Sequence, residues 1–232
     1  MLLSAAIPVG LFLVAGFVFL VVAGSVYSYF AAEKRREGLI DLARRLGLTF
    51  SAEPDYGIAD RYEFLKQLAQ GENRYAFNVF SGEYQGHDVL AFDYHYETTS
   101  TDQKGVRHTS HHHFSFFILE LPVFFPDLTI RRENFFTKIA EVFGYQDIGF
   151  ESAEFTKTFC VRSVDKKFAY DVCNPQMMEY LLANRDLSIE IENQALALAF
   201  DSCLSPQEFE LNLNRLVRVR ALMPEYLFPR TA

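Results

Sequence analysis

Tryptophan is absent from this 232-residue chain, cysteine occurs three times, and the first 32 residues, Met1 to Ala32, contain no charged side chain. Cys160, Cys173 and Cys203 are odd in number, widely spaced and include no Cys-x-x-Cys pair, which argues against a disulfide framework or a zinc ribbon and for reduced, buried thiols. An excess of basic residues is also lacking: 22 Lys and Arg stand against 30 Asp and Glu. Nucleic-acid binders show the opposite balance, so no nucleic acid is expected as a partner. The chain has no internal repeat and no Gly/Ser-rich hinge. It also has no Gly-x-Ser-x-Gly elbow, His-Glu-x-x-His, Walker loop or dinucleotide fingerprint. No cofactor is expected, and the chain reads as a non-enzyme.

The uncharged start sets the expected location. A helix of about twenty apolar residues spans a hydrocarbon core with every backbone polar group bonded inside the segment. Ile7 to Tyr27 supplies that length, and Tyr27, Tyr29 and Phe30 would give an aromatic edge at headgroup level. Glu33-Lys34-Arg35-Arg36 follow at once. Lys34, Arg35 and Arg36 are expected at the membrane interface, holding the remainder of a single-pass protein in the cytoplasm, with the lipid bilayer as its first partner. Ala23-Gly24-Ser25 offers a rival reading as a signal-peptide cleavage site, but the amino end lacks a basic residue and the apolar run exceeds an h-region.

Beyond the anchor the pattern is α+β: an antiparallel sheet with interleaved helices. Residues 1–32 are the expected transmembrane anchor, 33–70 a juxtamembrane helical segment and 71–232 the α+β domain, with a division into two lobes near Ser152 as an option. Leu39, Ile40, Leu42, Ala43 and Leu46 make an apolar stripe ending at Gly47, and Asp60 is read as the N-cap of a helix through Leu68. Period-two alternation predicts strands at Arg74–Ser81 and His87–Tyr96, joined by a Gly82–Gly86 hairpin loop. A polar loop from Glu97 to Ser110 and strands at His112–Leu121 and Leu128–Arg131, parted by a Pro122–Pro126 corner, complete a meander with one face buried. Asn134 caps a predicted helix through Phe143, and strands are expected at Ile148–Phe150 and Thr156–Ser163. Asp165-Lys166-Lys167 reads as a charged turn, and Asn174-Pro175 opens a helix. Leu187–Glu192 and Ala195–Phe200 form a predicted hairpin around Asn193-Gln194. Ser205-Pro206-Gln207-Glu208 is a capping box before the last helix.

All six histidines lie between His87 and His113, four of them in His108–His113. On a strand His111 and His113 share a face, and His95 can stand across the hairpin from them, so these three are the candidate metal ligands. No carboxylate is read as a ligand beside them, and a solvated polar loop explains the same residues more simply. Asp147, Glu151 and Glu154 lie close in sequence and suggest acid–base chemistry only weakly, as a solvated rim uses the same residues.

Phe92-Asp93-Tyr94 with Thr98-Thr99, then Leu121-Pro122, Phe125-Pro126, Arg131–Glu133, and Asn134-Phe135-Phe136 through Phe143-Gly144-Tyr145-Gln146-Asp147-Ile148 and Phe155, form a further pattern. It resembles a widespread family of bacterial proteins, a domain of unknown function, in which one or two amino-terminal membrane helices precede a conserved α+β domain. The similarity runs from about Glu37 to Tyr180, and Ser100–Ser110 departs from it by being longer and histidine-rich. The resemblance implies a bacterial inner-membrane protein and brings no reaction. The leading expectation is a protein-interaction or self-assembly module with a protein partner or a homo-oligomer. A ligand- or metal-sensing domain, or an unrecognised hydrolase, are the alternatives.

Overall fold

The computed structural model describes residues 9–132 and 147–228, with side chains from Val18 onward. Its first element, α1 (Val9–Leu46), is one unbroken helix of 38 residues. Its described side chains fall into two regimes. Val18 to Phe30 are exposed, whereas Leu39, Leu42 and Ala43 are buried in the main core. Gly47, at φ +72°, ends the helix in the left-handed conformation that favours glycine. No helix among the described residues is long and apolar enough to cross a membrane. The expected span is therefore not found among them. It begins at Ile7, outside the described residues, and an eighteen-residue stretch counted from Val18 runs into Glu33, Lys34 and Arg35.

The α+β architecture is as expected. Among the described residues, six strands form one antiparallel sheet: β1 (Thr49–Ser51), β2 (Glu72–Tyr84), β3 (His87–Thr101), β4 (Arg107–Arg132), β5 (Phe159–Ser163) and β6 (Ser188–Ala199). They run in the order β1-β2-β3-β4, and β4 also pairs with β5 and β6. The β2–β3 hairpin closes on Gln85 and Gly86, both at positive φ, the geometry that matches strand twist in a two-residue turn.

Both faces of the sheet are covered, not one as expected. Ala91, Phe117, Leu119, Leu196 and Leu198 face the cluster shared with α1, α4 (Lys166–Val172), α5 (Pro175–Ala183) and α6 (Pro206–Leu222). Phe92, Tyr94, Phe116, Ile118 and Ala197 face a second cluster built on α2 (Tyr56–Arg61) and Leu65 and Leu68 beyond it. The run Phe114–Leu119 is apolar at five of its six positions because its strand lies between two layers.

Several boundaries differ from the sequence reading. β4 is one strand of 26 residues, and Pro122–Pro126 marks shifts of register within it rather than a corner. The predicted hairpin at Asn193-Gln194 is instead one strand, β6. Asn193 adopts φ +52°, and both halves run along β4, so the local turn signal makes a bend that follows the partner strand. Asp55, not Asp60, caps α2, accepting from the Ile58 amide. The supposed loop Glu97–Ser110 is mostly ladder, paired from Glu97↔His111 to Thr101↔Arg107. Thr156–Thr158 belong to α3 (Ala153–Thr158), capped by Ser152, and Ile148–Phe150 form no strand, though the Ile148 amide bonds the Val161 carbonyl. Asp165 is the N-cap of α4 rather than part of a plain turn. The caps at Asn174 and at Ser205, with its reciprocal Glu208, are as predicted. The predicted helix from Asn134 to Phe143 lies outside the described residues.

Candidate functional site

β3 carries a polar stripe on one face. Alternation places Asp93, His95 and Glu97 on the side opposite Phe92, Tyr94 and Tyr96. Their partners across β4 are Ser115, His113 and His111. The stripe divides into two clusters.

The first centres on Asp93, which is fully buried. Arg35 of α1 donates to both carboxylate oxygens, at 2.6 and 2.9 Å, and through Nε to the Leu204 carbonyl at 2.8 Å. Asn78 and Ser115 donate to the same carboxylate at 2.8 and 2.7 Å. The Leu204 amide donates to the Ser115 hydroxyl at 2.9 Å. Every charge here has partners, which is what allows it to be buried. Arg35, expected at a membrane interface, thus points into the protein and joins α1 to the sheet. Gly38 allows the same close approach, since a Cβ there would lie 2.8 Å from Pro206 Cγ. The other expected interface residues, Tyr27, Tyr29, Lys34 and Arg36, are exposed, and Arg36 pairs with Glu33 at 2.8 Å.

The second cluster lies further along β3. His95 is buried, with its Nδ1 3.1 Å from the Asn73 carbonyl. A carbonyl only accepts, so Nδ1 carries a proton, and in the neutral ring Nε2 presents a lone pair. That lone pair faces His111 Nδ1 at 3.2 Å. Glu97 Oε1 lies 3.4 Å from His111 Nδ1 and 3.9 Å from His95 Nε2. Tyr75 stacks on the His95 ring at 4.6 Å, and the Asn73 side-chain amide donates to Glu97 at 2.7 Å. Asn73 sits at φ +50° where β2 slips register, so its backbone and side chain support two different members of the cluster.

Of the predicted ligand set, His95 and His111 converge and His113 does not. His113 touches the His95 ring at 4.8 Å and the edge of Phe77 at 6.1 Å, but its ring nitrogens are not part of the group. Partial burial and the neighbouring imidazoles lower its pKa. Glu97 takes the third place, contrary to the expectation that no carboxylate stood beside the histidines. Its signal was present in the sequence: it follows His95 by two residues, and reading Glu97 as loop hid the alternation. His112 falls on the opposite face, stacked on Tyr96 at 4.5 Å.

The expected carboxylate rim is dispersed. Asp147 pairs with Arg162 at 2.7 Å and accepts from the Cys160 thiol, and both contacts hold its pKa down. Glu154 pairs with Arg185. Burial pushes the Cys160 and Cys203 thiols up to about 12, and raises Cys173 as well, so none is poised as a thiolate nucleophile. A groove of about 810 Å³ opens elsewhere, between α1 and the start of α6, lined by Lys34, Arg35, Gly38, Arg45, Ser205 and Glu208 among others. It borders the Asp93 junction and not the histidines.

This fold occurs in a solved structure. The chain is similar to the crystal structure of the mycobacterial trehalose monomycolate transport factor A, TtfA, with a TM-score of 0.60 at 13% identity, over 85% of this chain and 98% of that one. At that identity the likeness is one of fold. No family model and no curated protein matches the chain.

Proposed function

We propose that this is a single-pass, membrane-tethered protein of the bacterial inner membrane whose cytoplasmic α+β domain acts as a protein-interaction or self-assembly module. One observation carries the reading: α1 runs without a break from an exposed apolar stretch, Val18–Phe30, into the buried core, and Arg35 bonds it to Asp93 at the transition. The uncharged residues Met1 to Ala32 would continue that exposed stretch into the bilayer. A helix joined to the sheet by buried charge, with no hinge between, holds the domain at a set angle to the surface it leaves. Fixed presentation suits a docking module. The family resemblance in the sequence supports the same placement, and TtfA, which carries this fold, is by its name a transport factor.

Native mass spectrometry of the full-length protein, released gently from its own membrane, tests the reading. The expected result is a mass above the 26.7 kDa chain by a subunit multiple or a protein partner. A protein that leaves the membrane in alkaline carbonate overturns the tether, and a bare monomer overturns the assembly role.

A further inference from the structure

We propose that His95, Glu97 and His111 form a binding site for a divalent transition metal of the zinc class, with one coordination position left to solvent. The inference stands apart from the tether and assembly reading. It rests on how three donor atoms from two neighbouring strands are placed.

Ligand atoms around a four-coordinate zinc ion, each about 2 Å from the metal, lie roughly 3.3 Å from one another. Here the three separations are 3.2, 3.4 and 3.9 Å. A point equidistant from three atoms so spaced lies about 2 Å from each, the length of a zinc–nitrogen or zinc–oxygen bond. An ion can therefore enter with little movement of the side chains. In its place the group holds two imidazole nitrogens against each other, one of which must turn its proton towards the other or towards Glu97.

Two features distinguish the group from a chance meeting of surface side chains. His95 is held before any ligand arrives, its Nδ1–H on the Asn73 carbonyl and its ring against Tyr75. A metal-bound imidazole typically donates its second nitrogen in that manner, which fixes the tautomer and the ring plane. Glu97 is oriented by the same residue, through the Asn73 amide. One asparagine in a left-handed conformation thus supports two of the three ligands. Burial is graded too: the His95 side chain is 4% exposed, Glu97 23% and His111 58%. The ion would rest on a buried histidine and be closed over by an exposed one, with the outer side open to water or to a donor from a partner.

Two nitrogens and one carboxylate oxygen suit zinc, nickel or copper and disfavour magnesium or calcium, which take oxygen-rich shells. Zinc is the probe used here. Untagged full-length protein in detergent is stripped with chelator, exchanged into metal-free buffer and titrated with zinc chloride by calorimetry. The expected result is one ion per chain. His111→Gln and Glu97→Gln should each weaken binding at least about tenfold, while His113→Gln leaves it within twofold. His111 is exposed, so its variant is expected to keep its fold, and unchanged far-ultraviolet circular dichroism would show that. Absence of stoichiometric binding overturns the proposal, as does wild-type affinity in the folded His111→Gln and Glu97→Gln variants. Loss of binding in His113→Gln would assign the site to a different histidine set and overturn it equally.

Discussion

Asp93 and Glu97 lie four residues apart on the same face of β3, each beside an asparagine of β2 in a left-handed conformation: Asn78 at φ +50° for the first, Asn73 at φ +50° for the second. Their surroundings differ in completeness. Asp93 is sealed, and Arg35, Asn78 and Ser115 occupy its oxygens. Glu97 takes one amide bond and otherwise faces the His95 and His111 ring nitrogens, which meet only each other and its carboxylate within the group. A saturated buried charge holds elements together and has nothing left to offer a ligand, whereas a preset but unsaturated group retains its capacity to bind. The same strand and the same supporting device thus produce a lock at one end and a candidate site at the other.

The sharpest way to break this contrast is to remove Asp93. Asp93→Ala leaves the Arg35 guanidinium without its carboxylate and should cost about 3–5 kcal/mol, read from the denaturant midpoint. The paired variant Arg35→Met with Asp93→Leu should recover the part of that loss due to the stranded guanidinium, while the Asn78 amide and the Ser115 hydroxyl still lose their acceptor. Equal destabilisation in the single and double variants would mean that the junction is not a charge pair. Neither change should alter zinc binding by more than about twofold if the two clusters are independent.

Gly71→Ala reaches the other cluster through the backbone. Gly71 has φ +66°, and a Cβ there would lie 2.3 Å from the Glu97 carbonyl oxygen, so Glu97 must shift. A loss of about 1–3 kcal/mol together with weakened zinc affinity is expected, and stability loss with unchanged affinity would separate Glu97 from the site. Ser205→Ala removes the cap of α6 beside the Arg35 junction and should cost about 1 kcal/mol in the same denaturation measurement.

The smallest effect is one of pH. His113 has a lowered pKa in the folded protein, so below the ordinary histidine value of about 6.5 the unfolded chain binds the extra proton first. Its contribution is present above that value and fades as pH falls through the window down to the folded value. Because the side chain is exposed, the slope is shallow. His113→Gln should flatten the unfolding midpoint measured between about pH 7 and pH 5, and an unchanged slope would assign the dependence to other groups.

How much of this was legible beforehand follows from the range of each signal. The capping box at Ser205, the N-cap at Asn174, the stop at Gly47 and the place of the first hairpin are legible because each is settled within a few residues, although the expected Gly82–Gly86 loop shortens to Gln85-Gly86, with Gly82 to Tyr84 in β2. Asn193 misled because it has the residue type of a turn, yet pairing with β4 on both sides of it outweighs that preference. Arg35 misled for a related reason. Beside Lys34 and Arg36 it reads as one of a basic cluster, and only the fold brings a carboxylate 58 residues away within reach of it.

What the sequence determined by itself was the chain's local grammar: an uncharged helical start, an α+β alternation, the helix caps and the gathering of histidines on one hairpin. Which of those histidines converge, that Glu97 joins them, and that Arg35 turns inward were decided by tertiary structure. The reason is one of distance. Caps and periodicity act over a single turn or pleat, whereas the partners of a buried charge or a ligand atom are chosen by strand register and by the helix packed above, both of which exist only once the sheet has formed.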